Sequence, residues 1–336
     1  MCTAACGPSL TLRQVGYYLF VSDTSWPVGS ALEYGTWNEL LGHLLSRGAT
    51  HYLYRGQRKC EWPLSCTLAR CLREQARAGG PVRLELMESM VVDEGLNRHV
   101  EHVEVQLLRS FMDLTQGMGI PDRPPAQDRL AWWELMQHHG APTRLLDWTR
   151  SPLIALWFAF RHHGDSDGDV ALWIFDSRNS WINHTATMAD LSAPGWANFM
   201  DDRQWQNRLA ETAIEQHAMV PLIVSPRVVV PRVVAQQSVM TLIPNVQVPE
   251  GFGHYVFKSV ATKVRVRCEW KPEILQVCKS LGLSRVSLFR DLDSVGESLA
   301  ATLSRNLPLS APESAFRDFK LIQQSAAASR QDETPQ

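Results

Sequence analysis

The order in which helical and strand-like patterns follow one another constrains the fold of this chain most. Helical patterns come first, and strand patterns cluster in the second half, which favours an α+β fold over a doubly wound sheet. The periodicity predicts helices over residues 34–47, 63–72, 83–113, 128–138, 151–163, 272–280 and 295–305. It predicts strands over residues 51–56, 170–175, 222–230, 233–235, 239–243 and 262–268.

Three regions are predicted along the chain. Residues 1–30 carry no clear period and are predicted to be a partly ordered leader. Residues 31–308 are predicted to form a single domain. Residues 309–336 contain mostly small, polar and charged residues, so this tail is predicted to be disordered.

Composition and charge narrow the class of protein. Of 336 residues, 45% are hydrophobic and 20% are charged, which is ordinary for a folded soluble protein. The formal net charge of −2 does not indicate a surface that binds polyanions as a whole. The seven cysteines include no CxxC pair and predict neither a disulfide framework nor a zinc site. We find no signal peptide and no apolar stretch of bilayer length, so we expect a cytoplasmic protein away from membranes.

Two segments carry the most specific information. The first is Tyr54-Arg55-Gly56-Gln57, which is followed by Trp62-Pro63-Leu64. The second covers residues 137–159 and reads QHHGAPTRLLDWTRSPLIALWFA. Both resemble the FRG family, named for its Phe-Arg-Gly opening motif, with Tyr54 in place of Phe. Two later stretches, RVVAQQ at residues 232–237 and LFRDLD at residues 288–293, resemble the family's closing segments more loosely.

The layout of these segments also resembles the ADP-ribosyltransferase pattern. That resemblance implies a helix-rich N-terminal part around a small split β-sheet core, with NAD as co-substrate. The catalytic residues that it implies are Arg55, Asp147, Thr149, Gln236 and Gln237. The NAD-binding residues that it implies are Tyr54, Arg55, Gly56, Gln57, His138, Arg144 and Trp148. Gly56, without a side chain, is expected to let the ligand lie close to the strand.

The resemblance also implies a setting. FRG domains often occur in mobile-element or phage-defence gene sets, so a bacterial toxin or antiviral effector is expected. Its target would be RNA, DNA or protein, and a neighbouring gene would supply a regulatory partner. A neutral Gln at the third position supplies no full charge to stabilise the positive charge that builds on the sugar as nicotinamide leaves, so slow transfer and a dead enzyme both stay open.

Two further functions remain open on the sequence alone. A non-catalytic module that binds a ligand or nucleic acid would use the basic and aromatic residues Tyr54, Arg55, Arg58, Trp62 and Arg70. A metal-dependent nuclease would use Glu134, Asp147 and Asp176. No metal site is predicted at His138 and His139, because two adjacent histidines on a helix cannot both face one ion.

Structural readings of the same residues compete with the functional ones. Arg55 would be half of an ion pair with Asp147 or Glu134. Asp147 would cap the following helix or pair with Arg144. His138 would interact with the helix dipole.

Overall fold

The computed structural model describes residues 32–46, 51–83, 85, 93–120, 122–164, 167–177, 203–215, 221–224, 226, 231–246 and 261–303. The predicted leader and tail lie outside these ranges. The chain divides into two compact units between Ser284 and Arg285. The described helices are α1 Trp37–Ser46, α2 Thr67–Arg77, α3 Glu94–Leu114, α4 Arg129–His138, α5 Pro152–Phe160, α6 Arg203–Glu215, α7 Pro231–Ala235, α8 Lys271–Ser280, α9 Arg285–Phe289 and α10 Leu292–Leu303. The strands are β1 Tyr52–Gln57, β2 Leu145–Thr149, β3 Val170–Asp176, β4 Leu222–Val224, β5 Ser238–Leu242 and β6 Ala261–Val266.

The six described strands form one antiparallel sheet in the order β4-β5-β2-β1-β3-β6. β1 pairs with β3 along its whole length, and β2 does the same with β5. Between β1 and β2, by contrast, the register holds the single pair Tyr54↔Thr149. The fold is therefore α+β. The core was expected to be a split sheet, whereas the described strands form one sheet. Its two halves meet only at the single residue pair between β1 and β2, which we call the narrow joint.

One face of the sheet packs against α2 and α3. Strands alternate their side chains between the two faces, and the residues of β2 and β3 that point to this face are apolar. The cluster on this face contains Leu53, Leu146, Trp148, Trp173 and Phe175 from the strands, with Leu68, Leu72, Leu96 and Val100 from the helices. The arrangement places the start of α2 close to β2, since the Leu68 N–H donates to the Thr143 carbonyl over 3.0 Å.

The other face packs against α4, α5 and α6. Apolar residues of β2, β4 and β5 meet Leu130, Trp133 and Met136 of α4 and Ala210 and Ile214 of α6. Helix α5 is apolar all round, which is typical of a helix buried on several sides. It lies on β1 and β3 and is covered in turn by α8. Ser151 caps it, accepting from the Ile154 N–H as the Ser-Pro signal predicts.

Gly56 allows α5 to approach the sheet closely. A Cβ built on Gly56 would lie 1.9 Å from the Ala155 carbonyl oxygen and 2.9 Å from Ala159 Cβ. The expectation that the missing side chain admits a ligand is therefore wrong, because the backbone of α5 already occupies that space.

The second unit contains two described helices, α9 and α10. Arg285 of α9 pairs with Glu297 of α10 over 2.6 Å. The Asp291 carboxylate accepts from the Ser294 N–H over 2.7 Å, which caps the first turn of α10.

Several sequence predictions are corrected by the structure. The helix predicted from residue 63 begins at Thr67, and Pro63 lies in the preceding loop. Residues 233–235 were predicted as a strand but belong to α7, whose first residue is Pro231. Helices α6 and α9 were not predicted. No helix among the described residues has the length and apolarity needed to cross a membrane.

Candidate functional site

Arg55 lies on β1 beside the narrow joint of the sheet. Its Nη1 donates to the main-chain carbonyl of Asp147 on β2 over 2.6 Å. In a continuous β-ladder, backbone hydrogen bonds would join β1 and β2 at this point. The Arg55 Nε is buried and has no hydrogen-bond partner among the residues that the structure describes. Burial lowers the pKa of Arg55, the nearby Asp147 carboxylate opposes that shift, and Arg70 adds to it. Arg55 is thus a half-buried cation held by one neutral oxygen.

Asp147 is exposed, and a chain of hydrogen bonds orients its carboxylate. Gln137 Nε2, at the end of α4, donates to Asp147 Oδ2 over 3.0 Å. Thr143 Oγ1 donates to Gln137 Oε1 over 2.6 Å and accepts from the Leu145 N–H over 3.2 Å. The carboxylate does not form the predicted ion pair with Arg55 or Arg144, and it caps none of the described helices.

Arg70 brings a second guanidinium to this place from α2. Its Nη1 donates to the Ser65 carbonyl over 2.7 Å, and its Nη2 donates to Thr67 Oγ1 over 3.1 Å. Both acceptors are neutral. Within the described residues, no carboxylate lies within ion-pair distance of Arg55 or Arg70. We call Arg55, Arg70, Gln137 and Asp147 the Arg55 cluster.

The glutamine pair lies against the other end of β2. Thr149 Oγ1 donates to the Gln236 carbonyl over 2.7 Å, and the Arg150 N–H donates to the Gln237 carbonyl over 3.1 Å. Gln236 is buried, whereas Gln237 is exposed and has a φ of 48°, in the left-handed region. The three segments that carry the predicted catalytic residues are therefore adjacent in space.

The family comparison covers the first two of these segments. Residues 50–168 match the FRG domain. The chain contains an FRG domain. The matched residues include all four members of the Arg55 cluster and Thr149, while the glutamine pair lies beyond the match. No curated protein and no solved structure matches the chain.

Arg144 of the FRG domain is tied to the protein interior. Its side chain is 1% exposed and forms an ion pair with Glu104 of α3. Its Nε donates to Glu104 Oε1 over 2.7 Å, and its Nη1 donates to the Pro244 carbonyl over 2.6 Å. These contacts satisfy the guanidinium internally, so Arg144 holds β2 in place rather than facing a ligand.

Three other residues predicted to bind NAD are also buried. Trp148 Nε1 donates to Thr241 Oγ1 over 2.9 Å, and its ring packs on Phe175 with 5.4 Å between centroids. Tyr54 is 1% exposed. Gln57 accepts from Trp173 Nε1 over 2.6 Å and donates to the Pro63 carbonyl. In this conformation none of the three presents a ring or amide to a bound ligand.

His138 is the last residue of α4 and follows Gln137. Its Nε2 is 3.8 Å from Oε1 of the buried Glu134, one turn earlier in the helix. Its carbonyl accepts from Arg232 Nη1 over 3.4 Å. The structure therefore gives His138 a local partner in α4.

The carboxylates of the nuclease hypothesis are not gathered together. Glu134 is buried beside His138, Asp147 lies on β2, and Asp176 lies opposite Tyr52 at the far end of β3. In the part of the chain that the structure describes, no three side chains of ligand type group closely enough to hold a metal ion.

Sequence reasoning missed two residues of structural consequence. Gln137 was quoted only as part of a motif, and its contact with Asp147 depends on how α4 meets β2. Glu104 had a readable signal, because it continues the buried stripe of Leu96 and Val100 at steps of four along α3. A carboxylate on an apolar stripe requires a buried cation, and Arg144 is that cation.

Proposed function

We propose that this FRG domain uses NAD in an ADP-ribosyl transfer. The observation that supports the proposal most is the adjacency of three distant segments around β2. Arg55 contacts the Asp147 carbonyl, and Thr149 contacts the Gln236 carbonyl. By the ADP-ribosyltransferase resemblance, Arg55 takes the first position, Thr149 with Asp147 takes the second, and the glutamine pair takes the third.

The reaction breaks the bond between C1′ of the nicotinamide ribose and the ring nitrogen. A nucleophile of the target forms the new bond to C1′, nicotinamide leaves with the bonding electron pair, and the nucleophile loses its proton. Arg55 binds a phosphate or ribose oxygen. Asp147, oriented by Gln137, accepts the proton from the nucleophile.

The third position is a glutamine, and Gln237 is the better placed of the pair because it is exposed. Its amide donates to or accepts from a ribose hydroxyl. It offers no negative charge to the sugar as nicotinamide leaves, and the loss of such a group costs roughly 3–4 kcal/mol of transition-state stabilisation. We therefore expect slow turnover.

The proposed target is RNA, DNA or protein, in the setting of a toxin or antiviral effector with a regulatory partner. Trp62 lies near the end of β1 and is 39% exposed, with the Arg58 guanidinium 5.3 Å from its ring centroid. An exposed aromatic ring beside a cation suits the stacking of an unpaired base. A nucleic-acid target is therefore the first to test.

The decisive assay is the release of nicotinamide from NAD by the full chain, alone and with total RNA or cell lysate. Arg55→Ala should abolish the release, and Asp147→Asn should reduce transfer to the target. Arg98→Ala, which removes an exposed arginine on α3, is the matched control and should behave as wild type. Equal release of nicotinamide by wild type and Arg55→Ala would contradict the proposal.

A binding module without turnover is the second candidate, and the neutral third position favours it. In that case the chain binds NAD or a nucleic acid but releases no nicotinamide. Binding to nucleic acid would weaken with rising salt, because each phosphate contact releases counterions. The same protein preparations thus separate the two functions by binding and by release.

A further inference from the structure

The charges in the Arg55 cluster do not balance. The cluster contains two guanidinium groups and one carboxylate, and that carboxylate is held by Gln137 rather than by either arginine. Arg55 is half-buried, and in the described part of the chain its Nε has no hydrogen-bond partner. Removing a cation from water is costly unless an anion or hydrogen bonds compensate. Within the described residues, nothing of negative charge compensates Arg55 or Arg70 at contact distance.

Arg70 is fixed in place with most of its donors unused. A guanidinium has five N–H donors. Arg70 uses two of them, because Nη1 donates to the Ser65 carbonyl over 2.7 Å and Nη2 donates to Thr67 Oγ1 over 3.1 Å. The two contacts tie the exposed side chain to the start of α2. A fixed fork loses little entropy when it binds an oxyanion.

From this arrangement we infer that Arg55 and Arg70 together bind the diphosphate group of an ADP-ribose-type ligand. Each arginine takes one phosphate, so the two negative charges of the diphosphate match the two unpaired cations. Bidentate contacts between arginine and phosphate supply geometry as well as charge. Arg70 is then the second residue that binds phosphate, a function that the ADP-ribosyltransferase resemblance does not assign to it.

We call the place formed by Arg55 and Arg70 the anion site. This inference rests on the proposed function only for the identity of the molecule that carries the diphosphate. The chemistry of the anion site does not require turnover. Inorganic pyrophosphate has the same two phosphates without the nucleoside, and nicotinamide riboside has the sugar and base without any phosphate. The three ligands therefore separate recognition of the diphosphate from recognition of the rest.

Isothermal titration calorimetry on the full chain tests the inference. ADP-ribose, pyrophosphate and nicotinamide riboside are titrated into wild type, Arg70→Gln, Arg70→Lys and the control Arg77→Gln. Arg70→Gln should weaken ADP-ribose and pyrophosphate binding by about 10- to 100-fold, the worth of a hydrogen bond to a charged group. Arg70→Lys should recover part of the loss, since it keeps the charge but not the fork. Arg77→Gln removes an exposed arginine from the other end of α2 and should bind as wild type.

Each outcome decides between the two proposals. Arg70-dependent ADP-ribose binding without nicotinamide release would keep the anion site and reject the transfer reaction. Nicotinamide release with a wild-type KM for NAD in Arg70→Gln would reject the anion site and keep the reaction. A wild-type chain that binds neither ADP-ribose nor pyrophosphate would also overturn the inference. The thermal unfolding midpoint of Arg70→Gln should stay at the wild-type value, because the side chain is exposed.

Discussion

Glu104 and Arg144 form a buried ion pair that joins the long helix α3 to the start of β2. Both side chains are at most 3% exposed. Burial alone would lower the pKa of Arg144, but the Glu104 carboxylate outweighs it and raises the pKa above its ordinary value. Arg144 also donates to the Pro244 carbonyl, which follows β5. One side chain thus fixes three elements beside the strand that carries Asp147.

Removing one partner of this pair should be far more damaging than removing both. We expect Glu104→Gln to lower the free energy of unfolding by about 3–5 kcal/mol, because it leaves the Arg144 cation buried without an anion. The double variant Glu104→Leu/Arg144→Met should lose less than Glu104→Gln alone. Urea unfolding followed by tryptophan fluorescence measures both. A double variant less stable than the single one would contradict this account.

The sequence was informative where apolar patterns are long and local signals agree. Strand β3 and helices α1, α4 and α5 were predicted close to their observed bounds, since an apolar period or a Ser-Pro cap identified each. It failed at α7, where consecutive valines favoured a strand while Pro231 was the helix-start signal. Tertiary packing decided that conflict, and no local pattern records it.

The candidate site was predictable only in part, for a similar reason. Motif spacing identified Arg55 and Asp147, but it could not show that Arg55 binds a main-chain carbonyl rather than a carboxylate. Nor could it show that Trp148 and Arg144 face the interior. Whether a motif residue faces a ligand or the core depends on strand register, which pairs β2 with β5 nearly a hundred residues later.

The close contact between Gly56 and α5 predicts a severe effect of a single methyl group. Gly56→Ala places a Cβ against the Ala155 carbonyl, so β1 and α5 must separate. We expect a loss of about 3 kcal/mol or more in the free energy of unfolding, at the upper end for overpacking. Gly42→Ala in α1 is the control, because nothing lies within 4 Å of its added Cβ. That variant should gain up to about 1 kcal/mol from helix propensity. Similar losses in the two variants would argue against the packing explanation.

We expect the Thr149 hydroxyl to stabilise the contact between β2 and the glutamine pair. It donates to the Gln236 carbonyl and accepts from the Ser151 N–H over 3.1 Å. Thr149→Val keeps the shape of the side chain but removes its hydrogen bond to the Gln236 carbonyl, at an expected cost of about 0.5–1.5 kcal/mol. Thr149→Ser keeps the hydroxyl and should lose less. Hydrogen exchange at Ser151 measures the local effect, and equal exchange in both variants would show that the hydroxyl has no such function.

Cys278 of α8 should make stability fall between pH 9 and pH 11. The thiol is fully buried, and burial raises its pKa from 9.0 to about 11. In this window the unfolded chain releases the thiol proton while the folded chain retains it, so the contribution is complete below pH 9 and declines as the pH rises. Two pKa units correspond to roughly 2–3 kcal/mol. Cys278→Ala lacks this titration, whereas all other groups that titrate in the window are shared. The wild-type free energy of unfolding should therefore decline more steeply than that of the variant, measured by urea unfolding at half-unit pH steps. Parallel pH profiles would mean that the Cys278 thiol titrates alike in the folded and unfolded chains.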